Sequence, residues 1–215
     1  MSKYEYILFD VAGTLLHKPL FYGTFLNVLK NYDYVIDELE FKKRHKLLSE
    51  VILFPDRTDK EFYTFFNKEV LYSLGVLPNE EMLDKLFEVC SYLPWEKYKD
   101  TEVLTEIKLS IGIISNFNST LKSKLDTFFD PIFNDILVSE ELGVAKPSLD
   151  FYKRTIDQIG VAPNKILYVG DSLKLDIVPA KALGINTLLV DRDCFYPESK
   201  NRIDSLKDML TLINE

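Results

Sequence analysis

Five short apolar runs, Tyr6–Phe9, 111–114, 136–138, 166–169 and 187–190, recur along this chain with helical patterns between them. Each run is bounded by Gly, Asn, Asp or Ser, the pattern expected of strands buried on both faces. The helical stretches between them are 102–108, 120–128, Leu149–Ile159 and 174–183. Strand alternating with helix implies right-handed crossovers and an α/β fold, a Rossmann-like doubly wound parallel sheet.

One region breaks that rhythm. From about Pro19 to Lys97 there is no convincing strand but several amphipathic helical patterns, for example Phe62, Phe65, Phe66 and Val70 on one face. Pro55-Asp56-Arg57, Gly75 to Asn79 and Pro94 punctuate it as turns or helix ends. The expected organisation is therefore an α/β core made of residues 1–16 and 98–215, with an α-helical domain of residues 17–97 inserted after the first strand. Ile203, Leu206, Leu210 and Ile213 have helical spacing and predict a C-terminal helix packed on the core.

Bulk properties exclude some partners. The 215 residues suffice for a core and an insert, and 47% hydrophobic residues is ordinary for a globular chain. A net charge of −8 argues against nucleic acid or an anionic membrane as main partner. Cys90 and Cys194 have neither metal-type spacing nor a disulfide framework. The first strand begins at Tyr6, leaving no room for a signal peptide, and no apolar run reaches membrane-spanning length, so a cytoplasmic location is expected.

Asp10 follows the first run directly, and Asp171 follows Gly170 at the end of the fourth. In an open parallel sheet, ligands bind beyond the carboxyl ends of the strands, so these two carboxylates can share one site. Paired carboxylates need a cation or a proton between them, which makes a hard metal ion their natural partner.

Four segments in order carry a family resemblance: Asp10-Val11-Ala12-Gly13-Thr14, Ile114-Ser115-Asn116-Phe117, Gly143-Val144-Ala145-Lys146-Pro147, and Gly170-Asp171-Ser172 through Asp176. With them the chain resembles the haloacid dehalogenase-like (HAD) superfamily over nearly its whole length. The resemblance implies that Asp10 is a nucleophile forming an aspartyl-phosphate, and that Ser115 and the backbone N–H of Asn116 hold the phosphate oxygens. It implies that Lys146 balances Asp10 and substrate charge. It further implies a Mg²⁺ held by Asp10, the carbonyl oxygen of Ala12 and Asp171. Asp176 would support the metal's water shell, hold Lys146 or cap the next helix. The insert would be a cap over a small phosphorylated or similarly anionic substrate. Locally, Gly13 allows the tight turn after Asp10, the Thr14 hydroxyl can tie that loop, and Pro147 suits a first helical turn.

Position 12 departs from the family. Phosphatases of this kind carry a second aspartate there, which protonates the leaving alcohol and later activates water. Alanine removes that group but not its carbonyl oxygen. General acid–base help contributes about 10²–10⁴-fold, so alkyl phosphates should be poor substrates. His17, three residues past Thr14, could titrate near neutrality but also reads as a solvated loop residue. Alternatives are a carbon–phosphorus or carbon–halogen hydrolase of the same superfamily, or a non-catalytic phospholigand-binding or interaction member. The carbon–phosphorus reading needs a lysine from the insert, where Lys42, Lys43 and Lys46 occur on an exposed-looking basic face. Arg44, His45 and Arg57 are the insert's other notable charges, and Phe21, Tyr22, Phe62 and Tyr63 read mainly as its core.

Overall fold

The computed structural model describes residues 3–55 and 58–214. The chain divides into two compact units, Met1–His17 with Lys97–Glu215, and Lys18–Glu96.

The described strands are β1 (Tyr6–Phe9), β2 (Leu16–His17), β3 (Glu96–Lys97), β4 (Ser110–Ser115), β5 (Asp135–Val138), β6 (Ile166–Gly170), β7 (Asn186–Val190) and β8 (Arg202–Ile203). Six of them form one sheet in the order β5-β4-β1-β6-β7-β8. All of its pairings are parallel. β1 is central, and its four residues are buried on both faces. Such a strand must read as a continuous apolar run rather than an alternating one. Phe9 pairs with Ile113 on one side and Val169 on the other. The residues just past these positions therefore emerge side by side at one edge. The chain leaves β1 for β4 and β5, then crosses back to β6, so this edge is a topological switch point.

The helices are α1 (Phe21–Lys30), α2 (Glu38–Val51), α3 (Lys60–Ser73), α4 (Glu80–Cys90), α5 (Leu121–Leu125), α6 (Ser139–Leu142), α7 (Leu149–Ile159), α8 (Val178–Ala182) and α9 (Leu206–Asn214). The first four make up the Lys18–Glu96 unit. Asp37, Asp59 and Asn79 cap α2, α3 and α4, each accepting a backbone N–H three residues on, at 2.8–2.9 Å. Such caps stabilise a helix start by about 1 kcal/mol. Inside this unit Phe25, Leu29, Phe41, Phe66, Val70, Leu71 and Leu86 form a core of their own.

Several local expectations need correction. Residues 99–106 form a 3₁₀ helix where a regular helix was expected over 102–108. The helix expected over 120–128 is only the five residues of α5. The stretch 174–183 is helical much as expected, but its first part is a π-helical turn, Leu173–Ile177, that runs directly into α8. Ile203 lies in the edge strand β8, not in the C-terminal helix. Phe65 is half exposed, because at 100° per residue it falls beside the stripe of Phe62, Phe66 and Val70 rather than within it. β2 and β3 pair as a small separate sheet that the apolar pattern does not announce, since two residues are too few to establish a period. Asp56 and Arg57 of the expected turn lie outside the described residues. Among the described residues no helix is long and apolar enough to cross a membrane.

Candidate active site

Asp10 follows β1, Ser115 ends β4 and Asp171 follows β6, so three of the expected residues stand at adjacent strand ends. Lys146 comes from the loop between α6 and α7 and is buried among them. Its Nζ donates to Asp10 Oδ1 at 2.7 Å, to Asp176 Oδ1 at 2.7 Å and to the Tyr168 hydroxyl at 3.1 Å. An ammonium group has three N–H donors, and all three are used. Tyr168 in turn donates to Asp176 Oδ1 at 2.7 Å, while Asp176 Oδ2 accepts the Ser172 N–H at 3.0 Å. Both oxygens of Asp176 thus carry protein hydrogen bonds, and the expected contact with Lys146 is made.

Carboxylates gather at this end of the sheet. Asp10, Asp171 and Asp176 each bring a carboxylate oxygen within 4.8 Å of the other two. Lys146 brings an ammonium group to two of them, Asp10 and Asp176. Burial raises the Asp10 carboxyl above the usual carboxylate range; Lys146 opposes that shift, and the charges of Asp176 and Asp171 add to it. For Lys146, burial disfavours the charged form, but the attraction of Asp10 and Asp176 outweighs it and holds the group above its ordinary value. Tyr168 is pushed well above its ordinary value, first by burial and then by the charge of Asp176, so its hydroxyl stays protonated and donates. Three carboxylates this close together form an arrangement that attracts positive charge.

Two glycines make room for these carboxylates. Gly13 has φ +85°, and a Cβ there would lie 2.2 Å from Asp171 Oδ2. A Cβ at Gly170 would lie 2.5 Å from Asp176 Oδ2. The loop after β1, which holds Gly13, is tied through its backbone rather than through Thr14. That side chain is fully buried, and its Oγ1 has no hydrogen-bond partner among the described residues, contrary to the expectation that it ties the loop. Ala12 is exposed, and its backbone bridges to Leu16.

Ser115 is buried at the strand end. Asn116 has a part that its backbone N–H did not suggest. Its side-chain amide donates to the Lys146 carbonyl at 2.9 Å, and its Oδ1 accepts the Lys146 N–H at 2.8 Å. This reciprocal pair fixes the lysine's main chain. Pro147 is not in the first helical turn, since α7 begins at Leu149 with Ser148 as its cap.

Within the Lys18–Glu96 unit, Arg44 pairs with Glu40 at 2.6 Å and Lys42 with Glu38 at 2.8 Å, both on the solvated side of α2. His45 is enclosed by the rings of Phe21, Tyr22, Phe41 and Phe66, at centroid distances of 5.0–6.0 Å. Burial lowers its pKa to about 4, with a smaller push from Lys46. Arg57 lies outside the described residues. In the other unit, the His17 ring stacks on Tyr98 at 4.0 Å, so it is not a freely solvated loop side chain. Tyr168 is the neighbour of these side chains that sequence reasoning missed, because its apolar run reads as plain strand and its partners Asp176 and Lys146 lie 8 and 22 residues away.

A sequence model of the haloacid dehalogenase-like hydrolases matches residues 4–184. The chain belongs to this family. Among the relatives of this HAD hydrolase, a glyceraldehyde 3-phosphate phosphatase of Methanocaldococcus jannaschii is 42% identical over 95 residues. That match spans 41% of this chain and 41% of the archaeal protein, less than half of either. An (S)-2-haloacid dehalogenase 4A of Burkholderia cepacia is 26% identical over 191 residues, covering 82% of this chain and 78% of the relative. Among solved structures, a magnesium-bound crystal form of the HAD-hydrolase YfnB from Bacillus subtilis superposes with a TM-score of 0.68. The two are 20% identical, and the superposition covers 99% of this chain and 100% of the other. At that identity the likeness establishes the fold.

Proposed function

We propose that this HAD hydrolase is a Mg²⁺-dependent phosphohydrolase acting on small phosphorylated substrates, with Asp10 as nucleophile. The observation that carries the reading is the close set of buried Asp10, half-buried Asp171 and buried Asp176, with Lys146 bonded to the first and last. Asp10, Asp171 and the carbonyl oxygen of Ala12 would hold the metal, which when bound supplies positive charge against the carboxylates and the phosphoryl group.

Lys146 occupies Oδ1 of Asp10, and we assign attack on phosphorus to the other oxygen. The new O–P bond forms as the bond from phosphorus to the leaving oxygen breaks, giving an aspartyl-phosphate. Ser115 and the Asn116 N–H would hold the oxygens that are not displaced. Water then attacks the phosphorus, releasing phosphate and regenerating the carboxylate. Asp176 serves the reaction through Lys146, whose charge and direction it fixes together with Tyr168. The Lys18–Glu96 unit is assigned the part of a cap that helps to choose the substrate.

Ala12 brings no acid to the leaving group, and that limits the substrates. Loss of about 10²–10⁴-fold corresponds to roughly 3–5 kcal/mol of barrier. An aryl phosphate, whose leaving group needs little protonation, should therefore be turned over far better than an alkyl phosphate. The carbon–halogen reading leaves Asp171 without a task, whereas the phosphoryl reading uses it.

The deciding experiment is hydrolysis of an aryl and an alkyl phosphate with and without Mg²⁺, beside Asp10→Asn. Mg²⁺-dependent aryl turnover that disappears in Asp10→Asn supports the assignment; turnover that survives the substitution removes it. Ala12→Asp should raise alkyl phosphate turnover by up to about 10²–10⁴-fold. No gain in that variant would mean that the site was shaped for a different leaving group.

A further inference from the structure

The loop after β1 folds tightly upon itself. The Val11 carbonyl accepts the N–H groups of Thr14, Leu15 and Leu16 at 3.3, 2.8 and 2.9 Å, and the Gly13 N–H reaches the Leu16 carbonyl at 2.8 Å. The carbonyls of Gly13 and Thr14 are satisfied from elsewhere, by one guanidinium group. Arg192, two residues past β7, donates from Nη1 to Gly13 at 3.0 Å and from Nη2 to Thr14 at 2.9 Å. The same group pairs in a fork with Asp100, Nε to Oδ2 at 3.0 Å and Nη2 to Oδ1 at 2.8 Å.

Asp100 is itself fixed by the Leu206 N–H at 3.0 Å and the Ser205 hydroxyl at 3.2 Å. Burial would raise its carboxyl, but the hydrogen bonds and charge of Arg192, with these two donors, hold it below the usual range. The guanidinium carbon lies 3.8 Å from the centroid of the Tyr98 ring. Arg192 is therefore held by stacking and by a fork, and two further N–H groups go to two carbonyl groups of the loop after β1. A lysine could not reproduce that, having neither a flat face nor a fork.

We propose that Arg192 is a positioning residue for hydrolysis, backed by Asp100: it sets the path of the Val11-to-Leu16 loop and thereby the aim of the Asp10 carboxylate and the Ala12 carbonyl. This rests on the assignment of Asp10 as nucleophile. Arg192 makes none of its hydrogen bonds to the carboxylate cluster, so its influence passes through the loop backbone. A displacement of about 1 Å in a reacting group can cost on the order of 10²-fold in rate, which sets the scale of the effect. An ion pair that only supports the fold would alter stability without singling out this loop.

The test uses the full chain with Arg192→Lys, Arg192→Gln and Asp100→Asn, and reads two quantities. The first is Mg²⁺-dependent aryl phosphate hydrolysis, resolved into kcat and KM. The second is amide hydrogen exchange at Leu15 and Leu16, compared with amides in β4 and β6. Expected for both Arg192 variants are a kcat lower by about 10- to 100-fold, little change in KM, and faster exchange confined to the loop. Asp100→Asn should move both readings the same way but less, since the bonds to Gly13 and Thr14 remain. Unchanged loop exchange in the Arg192 variants overturns the proposal, and so does exchange that quickens equally in β4 and β6. If the unaltered protein turns over no phosphate ester, the phosphohydrolase assignment fails, while the exchange measurement still decides whether Arg192 holds the loop.

Discussion

The two ends of the central sheet each bury a tyrosine against an aspartate, and they differ in what surrounds the pair. At the end where β1 begins, the Tyr6 hydroxyl passes over Gly112 of β4 and donates to Asp135 Oδ2 at 2.6 Å. Burial, and then the bond to Asp135, raise Tyr6 above its ordinary value. The pair closes on itself. At the opposite end Tyr168 and Asp176 meet at a similar 2.7 Å, but Lys146 ties them to Asp10, and Asp171 stands beside the group. The first pair satisfies two polar atoms. The second belongs to a network of three carboxylates and a lysine. A buried polar contact points to a site when it opens into such a charged network, and the contact distance alone does not separate the two cases.

Three substitutions would sharpen or break this contrast. Lys146→Met has the largest expected effect, because it leaves Asp10 and Asp176 buried without their counter-charge. It should cost about 3–5 kcal/mol in denaturant unfolding. A loss of about 0–1 kcal/mol, the size seen for surface ion pairs, would mean that the carboxylates do not depend on the lysine. Tyr168→Phe removes a donor to Asp176 and an acceptor for Lys146. We expect it to cost about 1–3 kcal/mol and to lower phosphate ester turnover as well. Tyr6→Phe should cost least, about 0.5–1.5 kcal/mol, with turnover unchanged. Equal turnover losses in the two tyrosine variants would erase the distinction between the ends.

What could be read in advance follows the range over which each feature is determined. β1 and α7 agree with their sequence patterns residue for residue, because burial on both faces and the flanking Ser148 and Gly160 are local signals. The strand-end carboxylates were readable for the same reason. The partner of Tyr168 was not. Within Ile166–Gly170 it is one more apolar residue, and its hydroxyl acquires meaning only when a loop 22 residues earlier in the chain delivers Lys146. Arg192 is more remote still, 92 residues from Asp100 and 179 from Gly13. No local period carries such a contact. The π-helical turn Leu173–Ile177 that runs into α8 is a middle case. There the Ser172 and Asp176 contacts redirect backbone that propensity alone would continue as ordinary helix.

The room taken by Asp171 and Asp176 is recorded in the residues facing them. At positions 13 and 170 even a methyl group would overlap a carboxylate. An exhaustive substitution screen would therefore flag both glycines as strongly as any reacting side chain, although neither has an atom that takes part in bond making. Shortening Asp171 would relieve the overlap in Gly13→Ala and leave only the strain of φ +85° at that position. The imprint of the acid on its neighbour could then be separated from the acid's own chemistry.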